Sequence, residues 1–227
     1  MHRYLAALSV AILVVCASAT TSFASNAPTD KVLLSESFAQ FDQNLDTGWR
    51  TVAFQIRYQD AISLIRQYEK THATTLSQTQ QGLLNYHLGV VYALANEPDK
   101  AVHAFKQGLT SRAFGNPAYI EAHIAFAEKD KGKLLQVRHI IATSNPGPWR
   151  KGSLDEVNVM IQYFGQPFEA AFGALNCVEH APANSSMWHS FCKTMMDKYG
   201  ALYRAHQKSE LKSSAQTQAG MARSSDR

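Results

Sequence analysis

Apolar residues recur at helical spacing through the middle of the chain, and turn residues divide them into pairs of segments. Residues 83–94 carry apolar side chains three and four positions apart, Asn96-Glu97-Pro98 interrupts the pattern, and residues 99–109 resume it. Pro98 suits the first turn of a helix, because the amide hydrogen that proline lacks would have no partner there. The pattern predicts two antiparallel helices joined by a tight turn.

The same pattern recurs downstream of this pair. A shift of 36 residues places Leu88 on Ile124 and the Asn96 turn on Gly132. It also pairs positions of similar size and polarity, placing Gly89 on Ala125, Ala101 on Val137 and Phe105 on Ile141. A recurrence at this period is typical of arrays of helix pairs.

Two further segments extend the array in both directions. In residues 163–172, Gly165 provides a turn and Ala170 a small contact residue, while residues 57–62 place Ala61 in the same role. We therefore expect four helix pairs across residues 47–180, followed by a turn and a closing helix over residues 181–207. The closing helix and the helix before that turn are expected to form a C-terminal helix hairpin. The first helix of the first pair, near residues 47–56, has the weakest signal.

The clearest pair resembles the tetratricopeptide repeat family. That family's pattern is an aromatic residue, Leu-Gly after two residues, Tyr after two more, then Ala and, four positions on, Phe. The positions of this chain that correspond to the last five pattern residues are Leu88, Gly89, Tyr92, Ala101 and Phe105. Gly165 and Ala170 define the last copy of the repeat. Asn85 stands where the leading aromatic belongs, with Tyr86 beside it. Small residues at Gly89 and Ala101 allow two helices to cross closely.

The resemblance implies an all-α fold in which helix pairs stack as a right-handed superhelix with a concave face. First helices line that face in the family. Here the lining would comprise Tyr86, Val90, Ala93, Leu94, Tyr119, Ala122 and Phe126. Such a groove favours an apolar or amphipathic segment of a partner protein. The alternative is that these side chains pack between repeats.

The N-terminus has the three-part pattern of a secretory signal over residues 1–24. His2 and Arg3 precede an uncharged apolar run over residues 5–15, and small residues then offer cleavage after Ala19 or Ala24. The run is shorter than the roughly 20 residues that span a bilayer. We expect an exported protein without a transmembrane span, with the periplasm favoured and the extracellular space as the alternative.

The remaining segments are less informative. Residues 25–46 are expected to form a lead segment before the array. Residues 208–227 are rich in Ser, Gln and Ala and predict a disordered tail, because few large apolar residues are present to offset the entropy of ordering. After signal removal Cys177 and Cys192 remain, and an even pair in an oxidising compartment predicts a disulfide across the turn near 181–184. Two buried free thiols are the alternative.

Charge and motifs limit the chemistry. The net charge of +4 is scattered, so no nucleic-acid partner is implied. No two of the nine histidines are three or four residues apart, the spacing at which two zinc ligands share a helix face, so we expect no metal site. His87 and His123 are expected on helix surfaces. Nucleophile elbows and phosphate loops are absent from the sequence, so neither catalysis nor a cofactor is predicted.

The function expected from these observations is an exported scaffold, monomeric in isolation, that binds a protein or peptide segment. Assembly of an envelope complex would be one setting for such binding. The alternatives are a structural subunit held by a flat helical surface and an enzyme with a site built on loops. A repeat fold by itself does not decide among them.

Overall fold

The structure is a computed structural model that describes residues 30–110, 117–144, 148–179 and 186–225. The described chain is all-α, as predicted, and contains no strand in these ranges. The helices are α1 (Asp30–Leu34), α2 (Arg50–Ala53), α3 (Tyr58–Thr71), α4 (Gln78–Leu94), α5 (Pro98–Thr110), α6 (Ala118–Ala127), α7 (Lys131–Thr143), α8 (Pro148–Gln162), α9 (Phe168–Gly173) and α10 (Ser186–Ser225), with π-helical turns at Ala39–Gln43 and Ala174–Glu179. The predicted signal peptide and the turn at 181–184 lie outside the described residues.

The helices α2 to α9 form four successive pairs: α2 with α3, α4 with α5, α6 with α7, and α8 with α9. Local sequence explains where the best-defined helices begin. Ser77 and Gln80 form a reciprocal capping box at the start of α4, and Asp130 accepts the backbone N–H of Lys133 at the start of α7. Helix α5 begins at Pro98, as the turn pattern predicts. The right-handed superhelix stays a prediction.

Each pair turns at a residue with a left-handed backbone. The positive φ angles are 62° at Ile56, 58° at Asn96, 58° at Lys129 and 88° at Gly165. In each case the second helix of the pair begins two or three residues later. A left-handed residue ends a helix and redirects the chain, so the recurrence shows one local design repeated four times.

The register predicted for the second copy is wrong. Gly132 lies inside the first turn of α7, and Lys129 occupies the turn, 129 − 96 = 33 residues after Asn96. Sequence reasoning favoured the glycine because glycine adopts positive φ at no steric cost, whereas a lysine there is uncommon. The 33-residue offset also aligns buried small residues of α5 with buried larger ones of α7: Ala101 with Leu134, Ala104 with Val137, and Gly108 with Ile141.

The close crossing of α4 and α5 confirms the packing role predicted for the repeat residues. A Cβ atom added to Gly89 would lie 2.5 Å from Cδ1 of Phe105, so the phenyl ring rests directly on the glycine backbone. Phe105 and Ala101 are fully buried, and Tyr92 is nearly so. Ala170, the corresponding small residue of the last pair, is also fully buried. Small residues at these positions therefore permit the contact.

The array closes on itself, because its last elements contact its first. The Tyr58 hydroxyl at the start of α3 donates a 2.7 Å hydrogen bond to Glu169 on α9. Phe54, which follows α2, packs against Trp188 and Phe191 of α10, with ring centroids 4.6 Å and 5.2 Å apart. These contacts join residues more than a hundred positions apart in the sequence.

A disulfide secures the closing helix. The sulfur atoms of Cys177 and Cys192 lie at bonding distance and their Cα atoms are 5.2 Å apart, so the predicted pairing is confirmed in geometry. The bond joins the second π-helical turn to α10, next to the cluster of Phe54, Trp188 and Phe191.

Helix α10 is longer than predicted. It continues to Ser225 rather than ending near His206, so the expectation of a disordered tail from residue 208 does not describe its backbone. Alanine, glutamine, lysine and glutamate are good helix formers, and the segment contains no proline to stop the helix. Its N-terminal half supplies the buried side chains that hold it on the array, including Phe191, Met195 and Tyr203.

Candidate binding site

The residues predicted to line an open concave groove are inside the protein. Tyr86, Val90, Ala93, Leu94, Ala122 and Phe126 are all at least nine-tenths buried, and Tyr119 is partly buried. Helix α9 packs against this face: the Phe168 ring lies 5.7 Å from that of Phe126, a member of the predicted set, and 6.0 Å from that of His123, centroid to centroid. The prediction of an open groove is therefore wrong, because the last pair turns into the face that an open array would leave to a partner.

Buried hydrogen bonds join three first helices along this inner face. The Tyr119 hydroxyl on α6 donates to Glu156 on α8 at 2.5 Å, and the Tyr86 hydroxyl on α4 lies 3.0 Å from that of Tyr119. His123, fully buried, holds Nε2 3.0 Å from Glu156 and Nδ1 3.0 Å from the Tyr119 carbonyl oxygen. Both ring nitrogens thus face acceptors.

This network keeps its tyrosines protonated. Burial raises the pKa of Tyr86 and of Tyr119 well above the ordinary value, and the nearby Glu156 carboxylate adds to the effect. A phenol held neutral can donate its hydrogen to the carboxylate without competing for charge. The arrangement fixes helices in place, and its polar atoms already use one another as partners.

A second buried network ties the lead segment to the array. Asp42 in the first π-helical turn accepts from the Trp49 indole at 3.1 Å, and its carboxylate lies 2.8 Å from His87 Nδ1 on α4. Arg50 donates to the Asp42 carbonyl oxygen and approaches His87 Nε2 at 3.3 Å. Burial alone would raise the pKa of the Asp42 carboxyl, but the charges and hydrogen bonds of these neighbours outweigh burial and lower it.

The prediction that the histidines lie on helix surfaces is wrong for His87 and His123. His123 is fully buried, and His87 is largely buried between Asp42 and Arg50, while His103 and His139 are exposed. The reason lies in the tertiary structure, because carboxylates from segments distant in sequence contact His87 and His123. Within the described residues, no group of three or more His, Cys, Asp or Glu side chains is arranged to hold a metal ion.

The closure of the array is centred on Glu169. This nearly buried carboxylate accepts from the Tyr58 and Tyr199 hydroxyls at 2.7 Å and 2.8 Å and is paired with the Lys198 ammonium. The hydrogen bond from Lys198 to Glu169 raises the pKa of the lysine. Burial, followed by the bond to Glu169, raises the pKa of Tyr58. Three donors from two helices therefore hold α9 in place.

An apolar cleft opens where the turns of three pairs meet, and we call it the turn-end cleft. It has a volume of about 210 Å³, with a floor of Ala93, Phe126 and Phe168. Exposed turn residues form its rim, among them Lys129 and Gln166. Ala93 and Phe126 belong to the predicted partner-binding set, so the structure brings two of those residues to a surface opening and leaves the others in the core.

Comparison with known proteins finds no family model, no curated protein and no solved structure that matches this chain significantly. The resemblance to tetratricopeptide repeats therefore rests on the residues quoted above and stays a prediction. Function has to be argued from the geometry of this chain.

Sequence reasoning missed several residues that organise the site. Phe168 follows the Gly165 turn in the segment that predicted the last pair, so an aromatic side chain at the start of a second helix was a usable signal. The buried carboxylates of Asp42 and Glu169 and the partly buried one of Glu156 had no local signal, since the partners that tie them to other helices, such as His87, His123 and Tyr58, lie 33 to 111 positions away. No helix in the described part of the chain is both long and apolar enough to cross a membrane.

Proposed function

We propose that this chain is an exported helical-repeat scaffold that binds a segment of another protein through the turn-end cleft. The observation that carries the proposal is an apolar floor, made by Ala93, Phe126 and Phe168, that opens at a surface of polar turn residues. Protein interfaces concentrate their binding energy in a few large side chains that enter such pockets, with a polar rim around them.

The dimensions and charge of the cleft indicate what it accepts. Pockets for small molecules usually measure about 300–1,000 Å³, so a volume of about 210 Å³ suits one large apolar side chain rather than a whole ligand. Lys129 lies on the rim, and the Lys131 ammonium is 5.9 Å from the adjacent Phe164 ring centroid. These cations favour a partner segment in which an acidic residue neighbours the apolar anchor.

Export is supported by two features. The N-terminal residues carry the signal pattern, and the disulfide-distance pair of Cys177 and Cys192 is compatible with an oxidising compartment. The periplasm is the favoured compartment in this proposal, with assembly of an envelope complex as the setting.

The two alternatives have less support. A subunit held by a flat apolar face would concentrate large exposed apolar side chains. Those of the described residues are instead spread over four parts of the chain: Val32 on α1, Leu45 before α2, Leu135 and Ile140 on α7, and Met196 on α10. An enzyme would need titratable groups that a substrate can reach, but the best candidates, Tyr86, His123 and Glu156, bond to one another beneath α9.

Selection of peptides against the purified chain tests the proposal. A displayed library of random twelve-residue peptides should yield binders that share a large apolar or aromatic anchor next to an acidic residue. Ala127 lines the cleft and is partly exposed, so Ala127→Trp should fill the opening from its edge. We expect this change to weaken the selected peptides at least about tenfold in fluorescence polarisation, since a buried anchor contributes 2 kcal/mol or more.

The matched control is Ala205→Trp, which adds the same side chain at an exposed position of α10. It should leave peptide affinity unchanged. Equal binding by the parent and by Ala127→Trp, or selected peptides with no common anchor, would show that the turn-end cleft is not the binding site.

A further inference from the structure

A second, polar cleft lies between α3 and α5, and we call it the α3–α5 cleft. Its floor is α4, which presents Asn85, Leu88 and Tyr92, three residues spaced to share one helix face. The turn-end cleft uses Ala93 instead, so the two sites occupy different faces of α4. The volume of about 400 Å³ falls within the range of small-ligand sites.

The floor residue at one end of the cleft is small. Asn85 stands where the repeat pattern calls for an aromatic side chain, and it is only partly buried. Its amide donates to the Gln81 carbonyl oxygen of its own helix at 2.9 Å and to Glu69 at 3.3 Å. The space that an aromatic ring would fill is therefore open and lined by polar groups.

Opposite charges on α3 are held apart rather than paired. Arg66 and Glu69 are one helical turn apart, a spacing at which ion pairs commonly form. Arg66 instead donates through Nε to the Tyr92 hydroxyl at 2.8 Å, and Glu69 accepts from Asn85. Since Asn85 and Tyr92 are seven residues apart on α4, their Cα atoms are separated by about 10 Å along the helix. The cleft thus has a cationic end and an anionic end.

The cationic end has a second positive group. The Arg66 guanidinium carbon and the Lys100 ammonium lie 5.6 Å and 5.7 Å from the Tyr92 ring centroid. Asp99 also lines the cleft and Glu97 pairs with Lys100, so the site as a whole does not carry the positive excess that a phosphate would require. The charges favour a ligand that bears one anion and one cation.

We propose that the α3–α5 cleft binds a short peptide of two or three residues by its two termini. The C-terminal carboxylate lies against Arg66 and Lys100, and the N-terminal ammonium lies against Glu69. An extended peptide spans about 3.3–3.6 Å per residue, so three residues match the separation of about 10 Å between the floor positions. This inference is independent of the function proposed for the turn-end cleft.

Calorimetric titration of the purified chain with triglycine tests the proposal, because triglycine has both termini and no side chains. We expect triglycine to bind. N-acetyl-triglycine, triglycine amide and inorganic phosphate each lack one of the two charged termini, and glycine has both but is too short to span the cleft. Each of these four should bind at least about tenfold more weakly than triglycine. Failure of triglycine to bind, or equal affinity for either blocked peptide, overturns the proposal.

Three variants locate the site. Arg66→Gln should reduce triglycine affinity at least about tenfold, since it removes the charge that faces the carboxylate. Asn85→Trp should abolish binding by filling the cleft while leaving the melting temperature equal to or higher than that of the parent, which separates loss of the site from loss of the fold. Lys106→Gln changes an exposed residue of α5 outside the cleft and should bind as the parent does. Unaltered binding by Asn85→Trp would place the peptide elsewhere.

Discussion

The contact between Gly89 and Phe105 makes a quantitative prediction about the crossing of α4 and α5. Alanine in place of glycine within a helix ordinarily stabilises by about 1 kcal/mol. At Gly89 the added Cβ would lie 2.5 Å from Cδ1 and 2.9 Å from Cγ of Phe105, a ring that is fully buried and cannot turn away. Forcing a methyl group into a packed core costs about 1–3 kcal/mol, so after the gain is subtracted we expect Gly89→Ala to lower the free energy of unfolding by up to about 2 kcal/mol.

Gly152 provides a matched control, because it lies in α8 and an added Cβ would meet nothing within 4 Å. Gly152→Ala should therefore stabilise by about 1 kcal/mol. Urea unfolding followed by circular dichroism at 222 nm measures both variants, whose free energies of unfolding should differ by the packing cost of about 1–3 kcal/mol. At about 2–4 °C per kcal/mol for a chain of this size, their melting temperatures should separate by at least about 2 °C.

A double-mutant cycle identifies the clash as the cause. Phe105→Ala removes the Cγ, Cδ1 and Cε1 atoms nearest Gly89, so adding Gly89→Ala in that background should cost at least about 1 kcal/mol less than in the parent. If Gly89→Ala stabilises as much as Gly152→Ala, or if its cost is the same with alanine at 105, then the close crossing does not determine the glycine.

Three further predictions follow from the contacts that close the array. Replacing Cys177 and Cys192 together by serine should lower the free energy of unfolding by about 3 kcal/mol, given their separation of 15 residues, and a reductant should then have no added effect on the melting temperature. The charged and hydrogen-bonded neighbours of Asp42 hold its folded-state pKa below the ordinary carboxyl value, so its contribution to stability is present above about pH 4 and is lost as pH falls. The loss of stability at acid pH, measured by urea midpoints from pH 2 to 7, should therefore be less steep in Asp42→Asn, and an unchanged loss would contradict this. Tyr58→Phe removes one hydrogen-bond donor to Glu169 and should lower the free energy of unfolding by about 1.5–3 kcal/mol. Amide hydrogen exchange in α9 should become faster. Unaltered exchange there would mean that this hydrogen bond does not hold α9 against α3.

Much of the helical framework could be predicted because its causes are local. Helix spacing, the Pro98 turn and the pairing of small Gly89 with large Phe105 all depend on residues within about 30 positions of one another. The Cys177–Cys192 pairing is local in the same sense, since the two cysteines are only 15 positions apart. The register of the second copy failed because the left-handed turn residue is Lys129, a residue type that carries no signal for positive φ.

The candidate site was only half predictable. Ala93 and Phe126 were named from the repeat pattern, but the pattern assumes an open inner face and therefore assigned core residues such as Val90 and Ala122 to a surface. What covers that face is Phe168 from the last pair. Chain closure over such distances depends on how several small angles between helices add up, and hydrophobic periodicity contains no information about those angles.

The sequence by itself determined an all-α chain of helix pairs, the positions of most turns, the close crossing at Gly89 and the cysteine pairing, because each of these depends on steric and hydrogen-bonding preferences of neighbouring residues. Tertiary structure alone decided that the inner face is filled, that Asp42 and Glu169 are buried with partners from distant helices, and that two clefts remain on different faces of α4. A buried carboxylate is stable only where donors from other elements converge on it, and that convergence exists only after the helices have packed.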